Sequence, residues 1–468
     1  VGIAEQASAI TGLSFVVVDE DGTRTDLEIG LDGRFSQRVI DSLSERLSLT
    51  VTPAADPTTV IAPSSLPLVV GRTYKLYYAD FIEALDASAY VLVNGPGFNA
   101  GECWTFTPSA AGSSTLKVTV VDRAGATVSE RAIPVTVHEA PAGAGKRHLQ
   151  IGDSITRAGN YVGAAVAAIG GAATVGTRTY NSGALNVEGR GGWALANYFT
   201  AIGSATGGDS PFLFPAGIAG AKYWGNTEFW RKVCYVAMAD LPTAGYDFDG
   251  FQYIARGWKP TGNPYLYDST GYPVAPIEGD VVIDPTKATT ERFRQYVGGA
   301  WAAMSPQPAV EISFPKYMIR YAAAYPNGGP TSIGIMLETN DFFNQLDDAS
   351  FTLWKSRMDA LIASVRAWSA TVPFIVALAP TGGPAANWAN QVQQKFSFDR
   401  RIREASRRIL TAYDTAAQRT NRVHVVTFLG SVSPQNMSDH VHPTTPAGHD
   451  EMAQFLAGML AKLITEGA

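Results

Sequence analysis

Three short stretches hold residues whose types and spacing could do acyl-transfer chemistry. In "LQIGDSITRAG", residues 149 to 159, a serine, Ser154, follows an apolar strand-like run directly and precedes a helix-forming one. A hydroxyl there either caps a helix or is displayed at a sheet rim as a nucleophile. In "SDHVHPTTPAGH", residues 438 to 449, Asp439 and His442 stand three apart. A tight or helical turn puts both on one face, where a carboxylate can hold an imidazole. The same segment admits two other readings: histidines exposed beside a helix start, or a metal site with Asp439, His440 and His442 as donors. In "ETNDFF", Asn340 and Asp341 follow the apolar run "SIGIML". Asn340 can donate from a strand end while Asp341 ties down the loop, although such a pair is also a common turn. A fourth stretch, "EGRGGWALANYF", offers backbone freedom at Gly189, Gly191 and Gly192, either for aiming an N–H at an oxyanion or simply for a flexible loop.

These residues need a scaffold. From about residue 146, apolar strand candidates ("HLQIGD", "SIGIML", "PFIVALAP", "VHVVTFLG") alternate with amphipathic helix candidates. That alternation predicts a three-layer α/β/α domain around a parallel sheet, with sites at the carboxyl ends of its strands. One helix is predicted over 351 to 368, with Trp354, Met358, Leu361, Ile362 and Val365 on its apolar face. Another begins after Thr445 as N-cap with Pro446 at the first helical position. Residues 56 to 140 read instead as short β runs separated by turns, the pattern of a small Ig-like β-sandwich, and the stretch "EAPAGAGK" after them reads as a linker. Residues 1 to 55 form a region of uncertain fold, with a hairpin at Asp21-Gly22 and a helix over "SQRVIDSLSERL". An aromatic-rich insertion spans about 200 to 330 and includes Trp258; its rings either line a wall over the site or fill the insertion's own core.

Composition narrows the functional classes. With 468 residues, 46% apolar and 17% charged, and a net charge of −6, the chain has enough apolar material for more than one core and no basic surface for nucleic acid. No apolar run reaches the length of a membrane span. The two cysteines, Cys103 and Cys234, lie far apart and read as buried free thiols.

Together, "GDSI" around Ser154, the glycine loop at Gly189, "TND" with Asn340 and the C-terminal "DHVH" resemble, in that order, the four blocks of the SGNH or GDSL-type hydrolase family, over roughly residues 146 to 468. The resemblance implies Ser154 as nucleophile, His442 as general base and then acid, Asp439 as its orienting partner, and an oxyanion hole from the Ser154 and Gly189 N–H groups and the Asn340 amide. Gly189 is preferred because a glycine followed by a polar residue is the usual arrangement. Two departures stand out: Glu338 occupies a position where the family often has glycine, so that it charges or crowds the pocket edge, and "GDSI" replaces "GDSL". Trp193, Glu338 and Trp258 are the side chains expected to touch substrate. No cofactor or metal is implied. Family members acting on decorated polysaccharides often carry added β domains, which points to removal of acetyl groups from a carbohydrate at an extracellular, cell-surface or virion location. A short-chain lipid or aryl esterase stays open, as does a glycan-binding surface or virion protein with a vestigial hydrolase domain. The pattern says nothing of oligomeric state.

Overall fold

The computed structural model describes residues 59–83, 89–157, 159–180, 185–200, 210–216, 287–288, 290–291, 293–305, 310–389 and 391–467, together with strands at 2–8, 12–18, 24–28, 251–254, 257–260 and 281–283. The first three strands form an antiparallel sheet in which Val18 pairs with Arg24 across the expected hairpin. The expected helix over residues 36 to 47, most of the aromatic insertion and Cys234 lie outside the described residues, whereas Cys103 is a buried free thiol.

The β-rich unit comprises β1 (Leu66–Val69), β2 (Tyr74–Tyr77), the short helix α1 (Tyr78–Phe81), β3 (Tyr90–Asn94), β4 (Phe98–Asn99), β5 (Cys103–Phe106), β6 (Gly112–Val121) and β7 (Thr127–His138). These strands make two sheets, ordered β1-β7-β6-β3 and β2-β5-β4, and a further short antiparallel pair joins Thr59–Val60 to Ile82–Glu83. Inward positions of β6 and β7 alternate as a half-buried strand requires, burying Leu116, Val118 and Val120 on β6 and Ile133 and Val135 on β7, with Leu116 directly opposite Ile133. At the β6–β7 turn, Asp122 accepts from the Ala124 and Ala126 N–H groups, a turn that an aspartate in this position encodes.

The second unit is built on β8 (Arg147–Gly152), followed by α2 (Ser154–Arg157), α3 (Asn160–Ala167), β9 (Ala173–Val175), β10 (Arg178–Tyr180), β11 (Leu185–Gly189), α4 (Leu195–Thr200), β12 (Ser332–Met336), α5 (Asp348–Trp368), β13 (Phe374–Leu378), α6 (Val392–Tyr413), β14 (Val423–Thr427) and α7 (Ala447–Thr465). The sheet runs β10-β11-β8-β12-β13-β14, with β9 also paired to β8; every pairing is parallel except β10 with β11. All five residues of β12, β13 and β14 are buried, as in a sheet covered on both faces. After β8 the chain builds toward β11 on one side, then returns through β12 to build toward β14 on the other. The order reverses between β8 and β12, and a crevice at the carboxyl ends of two such strands is where open α/β sheets bind ligands.

α5 starts on a capping box in which Asp347 accepts from the Ser350 N–H at 2.7 Å and the Ser350 hydroxyl accepts from the Asp347 N–H at 2.9 Å. It buries all five residues of its predicted apolar face, each of which stabilises by about 1.5–3 kcal/mol on leaving water. α7 buries Met452, Phe455, Leu456, Met459, Leu460 and Leu463 as its periodicity requires, but its start differs from the expectation: Pro446 takes the cap position and α7 begins at Ala447. The Thr445 hydroxyl accepts from the Asn160 amide, and the neighbouring Thr444 hydroxyl accepts from the Gly448 N–H instead. α7 packs on α3 and also on β1, and a single hydrophobic core runs through both units. The segment expected to link them is itself anchored, since Gly143 is buried and its N–H donates to the Gly170 carbonyl. Among the described residues, no helix is long and apolar enough to cross a membrane.

Candidate active site

Ser154 opens α2 just past the carboxyl end of β8. The capping role open to a serine in this place is filled by its neighbour: the Asp153 carboxylate accepts from the Ile155 N–H at 2.9 Å, as an N-cap does. Asp153 is wholly buried, and that burial raises its pKa to about 6 despite the backbone hydrogen bond. The Ser154 hydroxyl is thereby left for another partner, His442, whose Nε2 lies 2.8 Å from the serine Oγ across 288 residues of sequence.

The Asp439–His442 turn is tight, and one carboxylate organises it. Asp439 Oδ1 accepts from the backbone N–H groups of Val441 and His442, both at 2.8 Å, while Oδ2 stands 2.7 Å from His442 Nδ1. Burial pushes the Asp439 pKa up, but these three hydrogen bonds and the imidazole outweigh it and hold the carboxyl below its ordinary value. An ionised Asp439 is acceptor-only, so His442 Nδ1 carries the proton and donates it, and Nε2 presents a lone pair to the Ser154 hydroxyl. Both ring nitrogens of His442 are thus engaged. The His440 ring points elsewhere, edge-on to Trp388 at 5.1 Å and to Phe343 at 5.9 Å, so Asp439, His440 and His442 do not converge as a ligand set.

Asn340 follows β12 and is half-buried. Its amide donates to the Trp193 carbonyl at 2.9 Å, which fixes the plane of the side chain and leaves a second amide hydrogen. Asp341 ties down the loop as its position suggested: both carboxylate oxygens accept from the Leu195 N–H, at 3.0 and 2.9 Å. Burial raises its pKa to about 7. Gly189 is the last residue of β11 and pairs with Gly152, two residues before the serine. A Cβ at Gly189 would stand 2.3 Å from the Arg157 nitrogen, so glycine here lets α2 close against the strand. Tyr198 joins the two strand ends, its hydroxyl donating to the Gly152 carbonyl at 2.8 Å and the Glu188 carbonyl at 2.5 Å. Sequence reasoning missed Tyr198; its only signal was helical spacing from the glycine loop.

Two expected substrate contacts are corrected. The Trp193 ring is 4% exposed, packed edge-on against Tyr198 at 4.9 Å with the Arg190 guanidinium 4.7 Å over it. It contributes its carbonyl to the site and its ring to the core. Glu338 is 1% exposed and turned inward, accepting from the Ala379 N–H at 3.3 Å and the Ser406 hydroxyl at 3.4 Å. Burial raises its pKa well above the carboxylate range, so it neither crowds nor charges a pocket edge. The side chain of Trp258 lies outside the described residues.

No family model matches the chain, and no curated protein matches it. Among solved structures it is similar to a carbohydrate acetylesterase from Xanthomonas citri, with 13% identity, 87% of this chain and 74% of that chain covered, and a TM-score of 0.24. It is similar also to an acetyl xylan esterase from Butyrivibrio proteoclasticus, with 9% identity, 89% and 96% covered, and a TM-score of 0.26. A GDSL-like lipase from Bacteroides ovatus matches with 10% identity, 86% and 82% covered, and a TM-score of 0.23.

Proposed function

We propose that the chain is a serine esterase of the SGNH type that removes short acyl groups, acetyl above all, from a carbohydrate through an acyl-enzyme. The observation that supports it is the continuous relay Ser154 Oγ to His442 Nε2 at 2.8 Å and His442 Nδ1 to Asp439 at 2.7 Å, assembled from opposite ends of the domain. A serine hydroxyl is a weak nucleophile until a base with an oriented lone pair takes its proton. In this reading Ser154 Oγ adds to the ester carbonyl as His442 Nε2 accepts its proton; His442 then returns that proton to the leaving alkoxide. Water repeats the sequence to release the acid. Asp439 keeps the tautomer and stabilises the imidazolium. The developing oxyanion is assigned to the Ser154 and Gly189 N–H groups and the remaining Asn340 N–H, each worth on the order of 3 kcal/mol of barrier.

The acetyl-carbohydrate part of the proposal rests on the β-rich unit that precedes the catalytic one, an addition that family members acting on decorated polysaccharides often carry, and acyl-chain preference is its test. p-Nitrophenyl acetate, butyrate and octanoate are assayed with wild type and Ser154→Ala in parallel, followed by acetate release from acetylated oligosaccharides. Turnover that falls to background in Ser154→Ala supports the esterase; a maximum at octanoate would move the substrate class to lipid esters. Equal rates for the two proteins would overturn the catalytic reading in favour of a glycan-binding role.

A further inference from the structure

The Asp439–His442 turn holds its own carboxylate and imidazole in register and meets Ser154 through His442, while Thr445 just after it is tied to Asn160 of α3. On its other side the turn rests on the segment following β13. The Gly383 N–H donates to the His440 carbonyl at 3.0 Å, and the Asn387 amide donates to the carbonyls of Asp439 at 2.9 Å and Met437 at 3.2 Å. The approach is close enough that a Cβ on Gly383 would lie 2.4 Å from the Asp439 carbonyl oxygen. Residues 383 to 387 are therefore the seat of the acid–base turn.

The seat is itself gripped by two buried carboxylates from different parts of the chain. Asp399 of α6 accepts from the Gly382 N–H at 2.8 Å and is paired with Lys395. Asp80, in α1 of the β-rich unit, accepts from the Thr381 hydroxyl at 2.6 Å across 301 residues. Asp80, Thr381 and Asp399 are all less than 9% exposed, where a hydrogen bond is not diluted by competing water. α1 is fixed in turn: the Arg403 guanidinium donates to the Ala79 carbonyl at 3.1 Å, and the Tyr77 N–H donates to the Gly430 carbonyl at 2.8 Å, just beyond β14.

We infer that Asp80 and Asp399 are positioning residues for catalysis, and that the β-rich unit acts as a brace which sets the Asp439–His442 turn against Ser154. The inference rests on the catalytic reading above. Neither carboxylate touches the reacting atoms; each acts through Thr381 or Gly382 on the backbone that carries the base. Misplacing a catalytic group by about 1 Å costs on the order of a hundredfold in rate, so a partly loosened seat should cost about tenfold or more in kcat with KM little changed.

The experiment measures p-nitrophenyl acetate hydrolysis by the full chain as wild type, Thr381→Val, Thr381→Ser and Asn387→Ala, per active site titrated with a phosphonate. Thr381→Val removes the donor to Asp80 with little change of shape, and Thr381→Ser restores it. The expected result is a kcat lower by about tenfold or more in Thr381→Val and Asn387→Ala, KM within about twofold of wild type, and recovery of most of the loss in Thr381→Ser. A kcat within about twofold of wild type in both deletion variants, a loss carried by KM alone, or a Thr381→Ser no faster than Thr381→Val would each overturn the brace. Should Thr381→Val fail to fold, Thr381→Ala, which removes the same donor to Asp80 with a smaller side chain, takes its place, because Asn387→Ala tests only the contact between the seat and the turn. A wild type without esterase activity overturns the catalytic reading and the brace with it; an active wild type with equally fast variants overturns only the brace.

Discussion

Replacing Asp439 in two ways separates its electrostatic from its orienting work. In Asp439→Ala the imidazolium formed in the transition state loses its carboxylate. Two unit charges about 4 Å apart attract by about 4 kcal/mol at an effective dielectric of 20 and about 1 kcal/mol in water. The Asp439 and His442 side chains are 44% and 37% exposed, so the lower part of that range applies, roughly 1–2 kcal/mol. That is about 5- to 30-fold, and loss of ring orientation should bring the total to about 10² to 10³. Asp439→Asn should be worse. Oδ1 is pinned by the Val441 and His442 N–H groups, so an asparagine must keep its carbonyl oxygen there and place its NH₂ where Oδ2 now faces Nδ1. A donor at that point forces the ring proton onto Nε2 and removes the acceptor facing Ser154, with an expected loss of about 10⁴ in kcat. Steady-state hydrolysis of p-nitrophenyl acetate at pH 8 measures both. An asparagine variant as active as the alanine variant, or either within tenfold of wild type, would refute the assignment of Asp439 and the tautomer argument.

Asn340→Ala should lower kcat by about 10² to 10³ with KM nearly unchanged, because the lost bond is made to the transition state; a change confined to KM would count against the oxyanion role. Gly189→Ala should push α2 away from β11 and cost about a hundredfold in kcat while the circular dichroism stays that of wild type. Asp341 has a folded pKa raised by burial from 3.8 to about 7, so the folded state holds a proton that the unfolded state has released. Its stabilising contribution is complete below about pH 4 and fades as pH rises toward 7; urea unfolding at pH 5 and pH 8 should show wild type losing ground to Asp341→Asn at the higher pH.

Elements whose signal is local were legible in the sequence. The runs read as strands at 148, 332, 373 and 423 became β8, β12, β13 and β14, and the apolar stripe from Trp354 to Val365 was the buried face of α5. Ser154, Asn340, Asp439 and His442 were singled out from short motifs, and the structure brings Ser154, His442 and Asp439 into contact. What was not legible depends on distant chain. Trp193 and Glu338 sit beside motif residues, which suggested substrate contact, but the packing of Tyr198, Arg190, Ala379 and Ser406 turns both inward. α7 starts one residue later than its local signal suggested, and the Thr445 hydroxyl accepts instead from Asn160, a residue of α3. The Asp80–Thr381 bond had no local signature at all, being a contact between residues 301 apart.

The halves of the site hang on parts of the sheet with different tenacity. Ser154 and Asn340 follow β8 and β12, central strands with neighbours on both sides, whereas the segment bearing Asp439 and His442 follows β14, the last strand of the described sheet. Opening events that release an outer strand cost less free energy than global unfolding. On warming, the general base should therefore leave the nucleophile while the centre of the sheet is still protected from hydrogen exchange, so the loss of activity would time the detachment of the sheet's margin rather than the melting of its core.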